Sequence, residues 1–320
     1  MKLYYADHFV LPLPEGHRFP MEKYARLRTR LRDCRLFDEA DFSVPAAASD
    51  TEILRAHDAG YLQRVTSGTL DAAEVRRIGF PWSAAMVERS RRSAGATLAA
   101  CRSALTREGG SACAINLAGG THHAHRDFGS GFCVFNDAAI AALAMRAEEH
   151  VRRVAIIDCD VHQGDGTAAI LAGEQDIFTC SLHGAKNFPF RKQISDLDVE
   201  LADDTADEAY LGALERALEI VFERACPELV IYLAGADPYV GDRLGRLGLS
   251  IAGLLARDQR VLETCRSSGV PVAVAMAGGY AQPIDDTVTI HFNTVTTAAR
   301  LMAPSASVPQ FSRAHAAPSP

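Results

Sequence analysis

One stretch limits the possible folds more than any other: residues 154–167, which read VAIIDCDVHQGDGT. Four apolar residues precede Asp158, Asp160 and His162, which follow at two-residue spacing. If the apolar run is a buried strand, its period of two sends these three polar side chains to the same side as the chain leaves the sheet. The glycines that follow permit a tight turn in which Asp165 also points inward. The stretch predicts a metal site, although Asp and Gly are also ordinary residues of a solvated strand-to-helix loop.

Short apolar runs of the same kind recur along the chain and alternate with helical patterns. The candidate strands are residues 113–117, 154–157, 177–182, 229–234 and 270–275, and the candidate helices include 24–36, 84–105, 137–150, 168–171 and 210–225. This alternation predicts an α/β fold with a mainly parallel central sheet flanked by helices. Each candidate strand is followed by Gly, Asp, His or Tyr, and ligands bind beyond the carboxyl ends of parallel strands. The acidic segment Asp196 to Glu208 is expected to be an exposed loop.

Length and charge exclude some classes of protein. The 320 residues carry a formal charge of -7, which argues against a general nucleic-acid binder. Residues 23–35 are rich in Lys and Arg, but the spacing of Tyr24, Leu27 and Leu31 predicts an amphipathic helix with a solvated basic face. Residues 1–303 are expected to form one catalytic domain, and the Pro-, Ala- and Ser-rich residues 304–320 a disordered tail.

The cysteines and the hydropathy pattern indicate the cellular compartment. Eight cysteines lack a CxxC pair, and several lie in apolar runs, which predicts buried thiols in a reducing compartment. No apolar run approaches the ~18 residues that a membrane span needs. We therefore expect a cytoplasmic protein that binds neither membrane nor nucleic acid directly.

Three side chains are candidate metal ligands: Asp160, His162 and Asp237, the last of which follows the apolar run 229–234. Three protein ligands without cysteine suit a catalytic divalent ion that keeps one position open for water. Such a mixed set does not choose between zinc and ferrous iron. Taken alone, Asp237 could also be an ordinary loop carboxylate.

Further polar residues at strand ends suit proton transfer. His122 and His123 could take a proton from a metal-activated water and deliver it to a leaving group. Each would need a carboxylate behind it, and Asp158 and Asp165 are the spare acids. The alternative is two loop histidines that bond to the backbone. Tyr280, after two glycines, could stabilise a developing oxyanion, so the set predicts metal-assisted hydrolysis of an amide.

Five segments, taken together, resemble the metal-dependent histone deacetylase family: GGTHHAHRDFGSGFCVFND, VAIIDCDVHQGDGT, TCSLHG, LAGADPYVGDRLGRLGLS and AGGY. They occur in this order within residues 5–301. The resemblance implies an arginase-like α/β fold and a zinc-dependent hydrolase that removes acyl groups from lysine in proteins or from a small acylated amine. By position, it implies that Asp160, His162 and Asp237 are the zinc ligands and that Tyr280 is the oxyanion donor. It also implies that His123 is the general base and acid and that His122 is its electrostatic companion. Asp158 and Asp165 match the carboxylate partners of these two histidines.

The resemblance also implies a substrate tunnel and a second ion. Gly131, Phe132 and Cys133 match the tunnel segment, in which Phe132 forms one wall, and Phe188 is the candidate for the other wall. A structural monovalent cation, potassium in this family, is expected near Asp158, Asp160, His162, Ser181 and Leu182, largely through carbonyl oxygens.

Departures from the family pattern indicate which branch of the family the chain resembles and change what is expected at the tunnel mouth. Gln163 stands where the best-known members have a second histidine, and the DxDxHQGDG form resembles the class IV branch and its bacterial relatives. The rim loop Ile78 to Ser83 lacks the aspartate that holds a peptide backbone in class I members. Arg191 and Lys192 stand where many members have a Gly-rich turn near the tunnel mouth. Both are expected to be solvated surface charges, and the alternative is a specific anion site.

Two other functions remain open from the sequence. An arginase-type ureohydrolase would need further carboxylates to bridge two manganese ions. A catalytically silent acyl-lysine binding module would not need Tyr280, His122 and His123, whose presence favours an enzyme.

Overall fold

Eight short strands form one sheet at the centre of the molecule. The computed structural model describes residues 1–303, and its strands are β1 (Lys2–Tyr4), β2 (Phe42–Ser43), β3 (Cys113–Asn116), β4 (Val154–Asp158), β5 (Ile177–Gly184), β6 (Leu197–Leu201), β7 (Leu229–Leu233) and β8 (Val272–Ala275). They pair in the order β2-β1-β3-β8-β7-β4-β5-β6, and every pairing is parallel. The predicted α/β architecture with a parallel central sheet is confirmed.

Helices cover both faces of this sheet. They are α1 (Glu22–Asp33), α2 (Asp50–Ile53), α3 (Ala59–Ser67), α4 (Ala72–Ile78), α5 (Ala84–Thr106), α6 (Asp137–Ala147), α7 (Asp165–Leu171), α8 (Asp207–Ala225), α9 (Ile251–Ser267) and α10 (Ile284–Leu301). Ala155 and Ile157 of β4 pack in the layer of α1, α8, α9 and α10, while Val154 and Ile156 pack in the layer of α5, α6 and α7. Because both faces are buried, β4 reads as a continuous apolar run rather than an alternating one.

The order of the strands determines where the site forms. Strands β3, β8, β7 and β4 are consecutive neighbours in the sheet. Because they are parallel, the segments that follow them leave the same edge side by side. These segments carry, in strand order, His122 with His123, Tyr280, Asp237, and the Asp158-to-Asp165 stretch.

The prediction for one acidic segment is wrong. The acidic segment Asp196 to Glu208 is not simply an exposed loop, because it contains β6 and the beginning of α8. Leu197, Val199 and Leu201 alternate with acidic residues, which is the pattern of a strand at the edge of a sheet. The high acid content of the segment concealed that alternation.

The basic amphipathic helix is present as α1, but its basic residues do not all face solvent. Arg26 and Arg30 are exposed, as predicted. Lys23 is only 1% exposed, so its interpretation as part of a solvated face is wrong. The spacing of apolar residues indicated the helix correctly, and it also places Lys23, four residues before Leu27, on the buried face. The charge of the lysine, rather than its position, led to the wrong assignment.

The remaining whole-chain predictions have mixed outcomes. All eight cysteines are free thiols, and six of them are buried. Within residues 1–303, no helix combines the length and the apolar character needed to cross a bilayer. The tail that was predicted to be disordered, residues 304–320, lies outside the described residues.

Candidate metal-dependent active site

The three candidate metal ligands converge at the carboxyl ends of β4 and β7. One ligand atom from each of Asp160, His162 and Asp237 lies within 4.8 Å of the others, and all three residues are buried. His162 Nδ1 is 2.9 Å from Asp160 Oδ1 and 3.3 Å from Asp237 Oδ2. Atoms bound to one zinc ion at about 2.0–2.2 Å lie within about 4.4 Å of each other, so both distances fit a shared ion.

Two further observations indicate that this triad fits a divalent cation. Asp237 Oδ2 is buried and has no hydrogen-bond partner among the described residues. Burial and the charge of Asp160 raise the pKa of Asp237 to about 7. Burial lowers the pKa of His162, but its hydrogen bond with Asp160 and the charges of Asp237 and Asp160 outweigh burial and raise the value to about 10. Near neutral pH the triad therefore retains protons, which compensate the negative charge of its carboxylates. A bound divalent cation would supply that positive charge instead.

Backbone groups hold the two carboxylates in place. Gly278 N donates to Asp160 Oδ2 at 2.8 Å, and Val161 N donates to Asp237 Oδ1 at 2.9 Å. A Cβ atom at position 278 would lie 1.9 Å from Asp237 Oδ2. The glycine before Gly279 and Tyr280 is thus required by the approach of the carboxylate.

The two adjacent histidines lie beside the triad, each against its own carboxylate. His122 Nδ1 is 2.6 Å from Asp158 Oδ2, and His123 Nδ1 is 2.6 Å from Asp165 Oδ1. The two ring centroids are 4.2 Å apart. The structure therefore places each histidine against one of the two acids that were predicted as partners, and it pairs His122 with Asp158 and His123 with Asp165. Their roles in catalysis remain predictions.

The environments of the two imidazoles separate their pKa values. Burial lowers both, but at His122 the charges of Asp158 and Asp160 outweigh burial and raise the pKa to about 9. At His123, burial and the neighbouring positive charge of His122 lower the pKa to about 4. At neutral pH His122 is thus the charged imidazole and His123 the neutral one, which is free to accept a proton.

Two residues near the site escaped the sequence analysis. His125 Nε2 is 3.0 Å from Asp165 Oδ2, so this carboxylate serves two imidazoles. Burial raises the pKa of Asp165, but hydrogen bonds from His123 and His125 outweigh it and hold the pKa below its usual range. Lys23 lies on the other side of the site, where its Nζ is 5.3 Å from the Tyr280 ring centroid. The THHAH run contained a signal for His125. Helical spacing placed Lys23 on the face of Leu27 and Leu31, but no local pattern indicated that this face lies next to Tyr280.

Tyr280 is 8% exposed and lines a cavity of about 780 Å³ together with His122, His123, Asp160 and His162. Its backbone N–H donates to Asp242 Oδ2 at 2.5 Å, and Arg243 Nε donates to its carbonyl oxygen at 3.0 Å. Burial and the charges of Asp237 and Asp160 raise the pKa of the phenol well above its usual value. The hydroxyl therefore stays protonated and can donate a hydrogen bond to an oxyanion.

Aromatic side chains line this cavity, and their role as the walls of a substrate tunnel stays a prediction. Phe132 has a left-handed backbone (φ 66°), and its ring lies 6.1 Å from that of Tyr280. The Phe188 ring packs edge-on against His123 at 4.9 Å. Gly131 is in contact with His123, because a Cβ there would lie 2.6 Å from His123 Cδ2. Cys133 also lines the cavity.

The expected monovalent-cation residues lie in β4 and β5 and in the segment that follows β4, and two of them, Asp160 and His162, also belong to the triad. Asp158 is in register with Ser181 across these strands, and Leu182 follows in β5. All five predicted residues are buried: Asp158, Asp160, His162, Ser181 and Leu182. Potassium binding there remains a prediction.

The residues that depart from the family pattern hold the segment between β5 and β6. Gln163 Nε2 donates to the carbonyl oxygen of Gln193 at 2.7 Å, and Gln163 Oε1 accepts from Gln193 N at 2.8 Å. Arg191 is exposed, as expected. Lys192 is only partly exposed, rather than a fully solvated charge, and its Nζ donates to the carbonyl oxygens of Asn187 and Pro189, both at 2.6 Å.

Comparisons with known proteins agree with this geometry. The sequence profile of the histone deacetylase domain family matches residues 17–295. An uncharacterized protein of Picosynechococcus is 42% identical over 287 residues, which cover 90% of this chain and 94% of that protein. A histone deacetylase-like amidohydrolase of Pseudomonas aeruginosa is 31% identical over 285 residues, which cover 85% and 74% of the two chains.

The fold is also that of solved structures of this family. The crystal structure of a histone deacetylase homologue from Aquifex aeolicus superposes with a TM-score of 0.76 at 24% identity, covering 94% of this chain and 88% of the other. The sequence profile spans most of the chain, and relatives above 30% identity include proteins named as deacetylases and amidohydrolases. The chain therefore belongs to the histone deacetylase family and is a hydrolase that acts on amide bonds.

Proposed function

We propose that this protein is a zinc-dependent deacylase that removes an acetyl or longer acyl group from lysine side chains or from a small acylated amine. The observation that carries the proposal is the convergence of the Asp160–His162–Asp237 triad with one cavity, which is lined by Asp160 and His162 together with the neutral His123 and Tyr280. Fe²⁺ would fit the same oxygen and nitrogen donors. Potassium would be a structural ion at the neighbouring site behind β4 and β5.

Asp160, His162 and Asp237 would hold the divalent ion. When bound, that ion would polarise the amide carbonyl and lower the pKa of the attacking water. His123 Nδ1 is occupied by Asp165, so its Nε2 accepts the proton from this water. His123 then returns the proton to the leaving amine, which restores its neutral form.

His122 and Tyr280 stabilise the charge that develops between these two proton transfers. His122 remains protonated beside Asp158 and Asp160 and places a positive charge 4.2 Å, centroid to centroid, from the His123 ring. Tyr280 donates its hydroxyl proton in a hydrogen bond to the oxyanion formed from the amide carbonyl. Phe132 and Phe188 flank the acyl-carrying chain and exclude water from it.

The proposal predicts the behaviour of the Tyr280→Phe variant. Loss of one oxyanion donor is expected to lower the turnover rate at least about 100-fold. Removal of the metal with a chelator should abolish hydrolysis, and zinc or ferrous iron should restore it. A suitable control is Tyr239→Phe, which removes only a hydrogen bond to Asp286 of 3.2 Å.

Substrate and metal are best identified in one measurement. A hydrolysis screen of acetyl-lysine peptides, longer acyl-lysine peptides and acetylpolyamines, with metal content measured in the same preparation, would name the acyl chain and its carrier. Full activity of Tyr280→Phe protein would contradict the mechanism. Tight binding of acyl-lysine without turnover across the panel would instead favour a non-catalytic binding module.

The arginase-type alternative is less well supported by the arrangement of acids. Residues 1–303 contain one group of three side chains that could hold a metal, rather than two groups joined by bridging carboxylates. Elemental analysis should therefore give one transition-metal ion per chain. Two manganese ions per chain, with hydrolysis of a guanidino compound, would favour the ureohydrolase.

A further inference from the structure

The mouth of the active-site cavity concentrates positive charge in a chain that is acidic overall. Five exposed cationic residues line it: Arg18, Arg77, Lys186, Arg243 and Arg246. Among the described carboxylates, only Asp160 lines the same cavity, and it lies buried at the floor as a candidate metal ligand. The whole chain has a net charge of -7, so composition does not explain this local excess of positive charge.

Little of this charge is neutralised within the protein. Lys186 and Arg246 share one carboxylate, that of Asp203, at 3.5 and 3.3 Å. Within residues 1–303, Arg18, Arg77 and Arg243 form no salt bridge. Three guanidinium groups at the mouth therefore remain without an acidic partner.

Two of these three are held by other contacts. Arg243 Nε donates to the carbonyl oxygen of Tyr280 at 3.0 Å, and its Nη2 donates to that of Arg18 at 3.4 Å. The Arg77 guanidinium stacks on the Phe128 ring at 4.6 Å. Because these side chains are already ordered, binding an anion would cost less conformational entropy than recruiting freely moving ones.

Among residues 1–303, the only carboxylate paired with these cations is that of Asp203, which Lys186 and Arg246 already share. The loop Ile78 to Ser83, which follows Arg77, contains no carboxylate. A lysine- or arginine-rich peptide would meet like charges at the mouth, which slows encounter and weakens binding. An anionic group next to the acylated amine would meet the unpaired guanidinium groups instead.

We propose that the substrate carries carboxylate groups close to its acylated amine, and that Arg18, Arg77 and Arg243 recognise them. This inference rests on the proposed deacylase function. The carboxylates can come from two sources: acidic residues that flank an acyl-lysine in a peptide, or the α-carboxylate of free Nε-acyl-lysine. The same guanidinium chemistry would bind either one.

The test compares substrates that differ only in charge. Peptides with one acyl-lysine flanked by Glu, by Gln or by Lys are assayed beside free Nε-acyl-lysine and its α-amide. The expected kcat/KM is at least about ten-fold higher with Glu than with Lys flanks, as several exposed ion pairs together would give. The difference should arise mainly in KM and shrink at high salt. A preference for free Nε-acyl-lysine over its amide would identify the α-carboxylate as the source.

Variants test whether the cavity arginines are responsible. Arg18→Gln combined with Arg77→Gln should lower the ratio of Glu- to Lys-flanked kcat/KM at least about three-fold. Arg76→Gln is the matched control, because Arg76 is an exposed neighbour that does not line the cavity. Equal kcat/KM for Glu- and Lys-flanked peptides, or a ratio that the double variant leaves unchanged, overturns this inference and leaves the deacylase function standing. Hydrolysis of acetylpolyamines alone would also overturn this inference. Hydrolysis of neither these substrates nor acetylpolyamines would instead overturn the proposed function.

Discussion

Lys23 illustrates how a single buried charge supports the candidate site. Its Nζ donates to the carbonyl oxygens of Ala277 and Gly279 at 3.2 and 3.3 Å. The ammonium also faces the rings of Phe19, Tyr24 and Tyr280, with centroid distances of 5.1 to 5.8 Å. Two carbonyl oxygens and three aromatic faces thus replace the water that a lysine usually keeps.

We predict that Lys23 acts as a positioning residue for Tyr280. Lys23→Met would leave two buried carbonyl oxygens unpaired, which is expected to lower the free energy of unfolding by about 1–3 kcal/mol. The turn that carries Tyr280 would shift, so kcat should fall more than KM rises. Lys23→Arg, which keeps the charge and the donors, should recover most of the turnover.

Steady-state kinetics and thermal unfolding of both variants test this role. Arg26→Gln on the exposed side of α1 serves as the control, since surface ion pairs contribute little. An unchanged kcat in Lys23→Met protein, at a temperature where it is folded, would contradict the positioning role. The sequence could not reveal what Lys23 contacts, because its hydrogen bond with Ala277 joins residues 254 positions apart.

At the scale of elements, the segment between β5 and β6 controls one wall of the cavity. It carries Phe188 and the exposed Phe190. Lys192 Nζ donates to the carbonyl oxygens of Asn187 and Pro189 in this segment. The Gln163 side chain forms hydrogen bonds with the Gln193 backbone, and Asn187 Nδ2 donates to Leu244 O at 2.8 Å. Burial lowers the pKa of Lys192, consistent with an ammonium withdrawn from water.

Neighbouring basic residues in this segment should therefore respond differently to the same change. Lys192→Met is expected to loosen residues 187–190 and to lower kcat/KM at least about three-fold, since the Phe188 wall would no longer be ordered in advance. Arg191→Met should change neither the order of residues 187–190 nor kcat/KM, because surface substitutions of this kind usually alter stability by less than about 0.5 kcal/mol. Amide hydrogen exchange across residues 187–193 distinguishes the two. Equal protection in both variants would show that Lys192 does not order the segment.

The strands that are buried on both faces could be predicted from the sequence, together with the polar residues at their ends. The apolar runs that became β3, β4, β5, β7 and β8 were recognised, and so were the polar residues that follow them. Strand β6 was missed because an edge strand exposes acidic side chains, and β1 and β2 were missed because runs of three and two residues carry too little pattern. The mouth of the cavity could not be predicted, because Arg18, Arg77 and Arg243 come from three distant segments.

At the scale of the whole molecule, buried neutral histidines link stability to pH. The pKa of His57 is lowered to about 4, mainly by burial, and that of His183 is lowered to about 4 for the same reason. His57 Nε2 accepts the backbone N–H of Asn136 at 2.9 Å, and the Asn136 side chain in turn donates to the carbonyl oxygens of His122 and Ala124. Protonation of His57 would break the first of these bonds and loosen the loop that carries His122 and His123.

The sign of the pH effect follows from the direction of this shift. An unfolded histidine has a pKa near 6.5, so between pH 6.5 and 4 the unfolded chain binds a proton at position 57 that the folded chain does not. The contribution is fully present above pH 6.5 and is lost as the pH falls toward 4. Between pH 7 and pH 5 the loss from His57 alone should be about 2 kcal/mol. In His57→Gln protein, whose side chain can accept the same N–H without titrating, the free energy of unfolding from urea denaturation should fall by that much less over the same interval. Because both proteins share every other titrating group, parallel losses would mean that His57 is not the group responsible.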